Sequence, residues 1–169
     1  MSKIKVWKTI QIGGSSLGEI FQQLRNDRRN IEDLIGINIP VVPNRQKIKL
    51  VVVSGRSLGY KSDVLTSDFY KTAFQSGLSL CPAEVGLQLM LHNRELFVDT
   101  VTIAMEPIMA HGSIYSRKIV VPSQFQIFRD DERNKEEVDW RFMVVWSEYE
   151  PEEKIHCSQE FMFQLSKSK

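Results

Sequence analysis

Cys81, Glu84 and His92 are residues whose types could share a reaction. A thiol just ahead of a helical turn meets unpaired N–H groups that favour its thiolate, an imidazole can act as base, and a carboxylate can orient that imidazole. Together they would form a cysteine nucleophile and its relay. The competing reading is a buried structural cysteine, the commoner state of a free thiol. Gly55-Arg-Ser57-Leu-Gly59 has the Gly-x-Ser-x-Gly spacing of a nucleophile elbow after an apolar run, and Ser57, Asp99 and His111 stand in a hydrolase order. Against that, Tyr60-Lys-Ser-Asp-Val intervenes where a helix should begin at once, and only about two strands precede the serine where several are needed. A strand ending in a turn fits those glycines better.

Gly13, Gly14, Ser15 and Ser16 lie between a strand and a helix, where backbone N–H groups and the positive helix end could cradle an anion such as phosphate. The segment lacks the Gly-Lys-Ser/Thr ending of a P-loop and the spacing of Gly-x-Gly-x-x-Gly, and ordinary capping explains it equally well. Cys81, His92, His111, His156 and Cys157 contain no Cys-x-x-Cys or His-x-x-x-His pair. Neighbours such as His156 and Cys157 would point to opposite faces of a strand, so neither metal nor other cofactor is expected. Arg25, Arg28, Arg29, Lys47 and Lys49, with Arg45, Arg56 and Lys61, offer phosphate contacts for a weak, salt-sensitive nucleic-acid interaction, but no recognised binding motif accompanies them.

These residues must be held by elements that the pattern of apolar residues predicts. Val6 to Ile12 reads as a strand ending at Gly13-Gly14. Ser16 and Glu19 have capping-box spacing, and Leu17, Ile20, Phe21 and Leu24 then recur on one helix face. A short helical piece at Ile31 to Ile35 ends at Gly36, and Pro40 and Pro43 enforce an extended connector. The β-branched run Ile48 to Val53 predicts a central strand covered on both faces. Thr66 or Ser67 caps a helix through Gln75 that Gly77 stops, and Pro82 opens a short turn containing Glu84. Leu87, Leu89 and Leu91 alternate with Gln88, Met90 and His92, which predicts a strand, a corner at Asn93-Arg94-Glu95 and a returning strand from Leu96 to Met105.

Two further strands, Lys118 to Val121 and Phe125 to Phe128, are expected to be separated at Pro122. After a charged loop, Trp140, Phe142, Val144 and Trp146 line one strand face and Phe161, Phe163 and Leu165 another, joined across the Glu-rich turn at Pro151. Their aromatic rings suit a core better than a base-stacking platform. The sum is one α+β domain over residues 1–169, mainly antiparallel, with about six strands and two to three helices.

Composition sets the outer limits. At 169 residues with 42% hydrophobic and 25% charged side chains, the chain can bury a core of its own, so wholesale disorder is excluded. No run approaches the roughly 18 apolar residues of a membrane span, and the N-terminus lacks a signal sequence's apolar stretch, so the expected setting is the cytoplasm. Residues 1–62 carry eleven Lys/Arg against four Asp/Glu, and residues 63–169 carry eleven against seventeen. Halves of charge +7 and −6 offer a face to a protein partner or to a second copy, unless the fold intermixes them.

The segments Val6-Trp-Lys-Thr-Ile10, Leu50-Val-Val-Val-Ser, Leu58-Gly-Tyr60, Phe69-Tyr70 with Gly77-Leu-Ser-Leu-Cys-Pro-Ala-Glu-Val-Gly-Leu-Gln-Leu89, and Ile103-Ala-Met-Glu-Pro-Ile108 carry a resemblance. Through them the chain resembles, over most of its length, a family of small uncharacterised bacterial proteins frequent in candidate-phyla genomes. The central segment is the specific one, and the last third, with its longer charged loop at 129–139, departs most. The resemblance implies a shared fold without an assigned activity, and implies that the Gly55-x-Ser57-x-Gly59 match is incidental. The function expected is therefore a binding or interaction module, with a small Cys81/Glu84/His92 enzyme and a nucleic-acid binder as alternatives.

Overall fold

Residues 4–29, 31–92, 100–111, 120–129 and 142–166 are described by a computed structural model of the chain. The alternation around Trp7, Ile10 and Ile12 gives β1 (Val6–Ile12), which ends at two glycines in the left-handed region, each at φ +81°. α1 (Leu17–Asn26) begins with the expected capping box: Glu19 N donates to Ser16 Oγ at 3.3 Å, and Ser16 N donates back to Glu19 Oε2 at 2.7 Å. The Ser16 backbone and hydroxyl donors hold the exposed Glu19 carboxyl below the usual carboxylate range. Its buried residues, Ile20 and Leu24, are the ones the periodicity selects. A 3-10 turn at Glu32–Leu34, ended by Gly36 at φ +83°, leads through the proline connector to β2 (Gln46–Ser54).

After loop residues 55–63, β3 (Val64–Leu65) runs directly into α2 (Thr66–Gln75), which stops before Gly77 at φ +82°. Neither Thr66 nor Ser67 caps that helix with its side chain. Their backbone N–H groups donate to Glu153 O and Pro151 O at 2.9 and 3.0 Å, so carbonyls from a distant turn satisfy the first helical donors. β4 (Leu78–Ser79) follows, then α3 (Glu84–His92) where a strand had been expected. Leucines on alternate residues suit a strand, but Glu84, Val85, Gly86, Leu87, Leu89 and Met90 are all buried here. A helix enclosed nearly all round shows no amphipathic stripe and cannot be told from a buried strand by period alone. The predicted corner at Asn93-Arg94-Glu95 and the first residues of the returning strand, 96–99, lie outside the described residues, and the described part of that strand is β5 (Thr100–Ile103).

β6 (Ile108–His111) and β7 (Val120–Arg129) pair antiparallel, and β7 continues through Pro122 instead of breaking there. The proline is tolerated because the ladder to β8 (Phe142–Glu148) stops at Ser123, leaving one side of β7 unpaired at residue 122. β9 (Lys154–Ile155) and β10 (Glu160–Leu165) complete the chain. β8 and β10 do not form the hairpin expected across Pro151: β8 pairs with β7, while β10 lies between β2 and β5. Trp140 lies outside the described residues.

Among the described residues the main sheet has eight strands, in the order β1-β2-β10-β5-β7-β6, with β4 also on β10 and β8 also on β7. Every pairing is antiparallel except β10 with β5, and β3 and β9 form a separate ribbon. The fold is thus α+β as expected, with more strands than the sequence indicated. Period-two alternation divides its core into two layers. Ile48 and Leu50 of β2 and Met162 of β10 pack with Ile20 and Leu24 of α1 and Val85, Leu87 and Leu89 of α3. On the opposite side Val51, Val53, Phe161 and Phe163 pack with Phe69, Tyr70 and Ala73 of α2. Phe161 and Phe163 meet Phe69 at ring-centroid distances of 4.8 and 6.0 Å, so these aromatics are core, as expected.

Candidate functional site

The turn after β1 and the start of α3 are built on one contact. Glu84 is fully buried, and both carboxylate oxygens accept from main chain: Gly13 N donates to Oε1 and Val42 N to Oε2, each at 2.7 Å. Gln88, one helical turn on, donates its Nε2 to Oε1 at 2.8 Å. Three N–H donors match the acceptor capacity of a carboxylate, so a charge-bearing group is accommodated in the core without a cation. Gly13 is required on two counts: its φ is +81°, and a Cβ would sit 2.2 Å from Asn44 O.

This contact corrects the expected anion cradle. Gly13 N is occupied by Glu84, Gly14 N donates to Val42 O at 3.1 Å, and Ser16 N is bound to Glu19. The Gly-Gly turn does hold an anion, but the anion is the chain's own side chain. Of the four residues proposed, Gly13 and Ser15 line the cleft beside the turn.

That cleft, a cavity of about 360 Å³, lies between β1, the start of α1 and α3. Glu84, Gln88 and His92 fall at i, i+4 and i+8 on one face of α3, so the buried carboxylate fixes Gln88 while Gln88 and His92 line the opening. Opposite them stand Gln11, Gln23, Lys8 and Arg45. Gly14 positions the arginine: a Cβ there would lie 2.6 Å from Arg45 Cγ, so the bare Cα lets the side-chain stem lie across the turn. Among the described lining residues there are three basic side chains, three carboxamides and no carboxylate. Gln11, Gln23 and Gln88 were not anticipated; the i, i+4, i+8 spacing from Glu84 would have exposed Gln88 had α3 been read as a helix.

Cys81 does not join this group. It is buried, its thiol points to Met162 O at 3.6 Å, and its N–H donates to Ala104 O at 2.7 Å. Burial pushes the thiol far above its ordinary range, the opposite of an activated nucleophile. The Cys81/Glu84/His92 enzyme is thereby withdrawn: its cysteine is core, its glutamate holds the fold together, and only His92 faces the cleft.

Ser57 is no nucleophile elbow either. Its Oγ donates to Ser54 O at 2.8 Å and accepts from Ser54 N at 2.9 Å, and the next helix starts only at Thr66. Asp99 lies outside the described residues. The basic set is divided by the sheet. Arg25, Arg28 and Arg29 sit at the end of α1, which covers the face bearing Ile48 and Leu50. Lys47 and Lys49 alternate with those residues and project from the opposite face. No continuous phosphate-binding stripe results.

The second cysteine lies elsewhere, beside an aspartate that no motif singles out. His156 and Cys157 are in a turn, not a strand, and Asp63 approaches both. Comparison with known proteins returns no match: no family model fits the chain, and no curated protein or solved structure is significantly similar to it.

Proposed function

We propose that the chain is a binding module whose cleft receives a small anionic molecule carrying a carboxylate or phosphate. The observation that supports this reading is the lining: Lys8 and Arg45 supply positive charge, they and the His92 ring offer hydrogen-bond donors, the carboxamides of Gln11, Gln23 and Gln88 supply donors and acceptors, and no carboxylate is among the described lining residues. Glu84, buried behind Gly13 and Gln88, is already occupied by three donors. At about 360 Å³ the cavity falls at the small end of ligand sites, which favours a compact molecule over a chain-like one.

Titration with inorganic phosphate, citrate and a nucleoside monophosphate, followed by NMR of the backbone and glutamine side-chain amides, tests the reading. At least one probe should perturb Gln88, Gln23 and Gly13 saturably. Arg45→Glu should weaken that probe by about 10- to 100-fold, the worth of one charge-assisted hydrogen bond. Absence of saturable binding by all three at millimolar concentration, or an affinity unchanged in Arg45→Glu, would overturn it.

A further inference from the structure

The cluster of Asp63, His156 and Cys157 lies apart from the cleft and shares no residue with it. We propose that these three side chains bind a zinc ion. Their potential ligand atoms, a carboxylate oxygen, an imidazole nitrogen and the cysteine sulfur, all lie within 4.8 Å of one another. His156 Nε2 is 3.8 Å from Asp63 Oδ1, which is too long for a hydrogen bond. Two ligands of one tetrahedral zinc stand about 3.3–3.6 Å apart, given bond lengths near 2.0–2.3 Å. Rotation of the two exposed side chains, Asp63 and His156, closes the difference.

The frame holding them is already formed. β3 and β9 pair Val64 with Ile155, so Asp63 and His156, the next residue on each strand, face one another as an extension of that ladder. Cys157 begins a turn, which removes the divergence that consecutive side chains show on a strand. Arg56 N donates to Cys157 O at 2.8 Å, and Cys157 N reaches Asp63 Oδ1 at 3.4 Å. Gly55 permits this approach, because a Cβ there would meet Cys157 Cα and O at 3.0 Å. Arg56 Nε donates to the sulfur at 3.5 Å.

The histidine is oriented as well. Its Nδ1 lies 2.6 Å from Ser158 Oγ and accepts from Ser158 N at 3.3 Å; binding of a metal at Nε2 requires the tautomer in which Nδ1–H donates to Ser158 Oγ, with loss of the longer contact from Ser158 N. Outer partners of this kind set the ring orientation of metal-binding histidines. Carboxylate, thiolate and neutral imidazole together carry two negative charges against the two positive charges of the ion, and the guanidinium of Arg56 beside the sulfur adds one more positive charge. A sulfur ligand selects zinc or cobalt over magnesium or calcium. Three protein ligands leave a fourth position for water or an incoming group.

Cobalt(II) titration of the reduced, metal-free protein tests the site, since cobalt reports its ligands by colour. One equivalent should bind, with a thiolate-to-cobalt charge-transfer band and the strong visible bands of four-coordination, and zinc should displace it. Cys157→Ser should abolish the charge-transfer band, whereas Cys81→Ser should retain it. His156→Ala and Asp63→Asn change exposed side chains, so they decide the matter even if Cys157→Ser fails to fold; each should weaken binding roughly ten-fold or more. Lack of stoichiometric uptake, a band that survives Cys157→Ser, or affinity indifferent to His156→Ala would overturn the proposal.

Discussion

Glu84 shows how much a single buried side chain can organise. Its carboxylate joins the β1 turn, the proline connector and α3 through three hydrogen bonds, and no apolar residue could replace it without orphaning Gly13 N and Val42 N. Glu84→Gln preserves shape but sets an amide donor against a backbone donor. It should destabilise the fold by about 2–3 kcal/mol in urea unfolding. Cys81 yields a second prediction, with its sign fixed by burial. The folded state keeps the thiol protonated, whereas the unfolded chain releases the proton above about pH 8.5. The unfolded state then binds fewer protons, so stability is full below that pH and falls as pH rises, by at most about 1.4 kcal/mol per unit. Urea midpoints measured from about pH 7.5 to about pH 9.5 should decline in the wild type and flatten in Cys81→Ala. The sequence marked both residues and the glycine turn as noteworthy. It could not show that Gly13 and Glu84 are halves of one contact, since 71 positions separate them and neither type implies the other.

Among the elements, α1 was legible because its signals are local: Ser16, Glu19 and the Ile20/Leu24 stripe lie within three turns. α3 was not, because what buries it is supplied by elements distant in sequence, α1 and β1 among them. Gly86 illustrates this. A Cβ at that position would lie 2.8 Å from the ring of Phe125, itself fully buried. Gly86→Ala gains about 1 kcal/mol of helix propensity but incurs about 1–3 kcal/mol of overpacking, so a net loss near 1 kcal/mol is expected in the unfolding free energy. Gly18 in α1 is the converse case, with no atom within 4 Å of an added Cβ. Gly18→Ala should raise stability by about 0.4–1 kcal/mol in the same assay. Opposite signs for one chemical change would establish that packing, not helix propensity, sets the position of α3.

At the level of the molecule, the sheet accounts for what the charge pattern could not decide. β1 and β2, from the basic half, lie together at one side of the sheet, and the next strand is β10 from the acidic half. Lys47 and Lys49 therefore share neither face nor element with the arginines of α1, and counting charges along the chain could not separate them. Strand order was the least legible feature, because Phe161 and Phe163 announce a buried strand without naming its neighbours. β10 joins β2, β4 and β5, so removing residues 160–169 should abolish the cooperative urea transition altogether instead of shifting it. The placement of β10 also has a temporal meaning. During vectorial synthesis β1, β2 and β5 leave the ribosome before the strand that unites them, so the sheet closes only once residue 165 has emerged. Until then the valine-rich edge of β2 stays open, and a nascent chain stalled short of that point should be a preferred client of chaperones that recognise extended apolar strands.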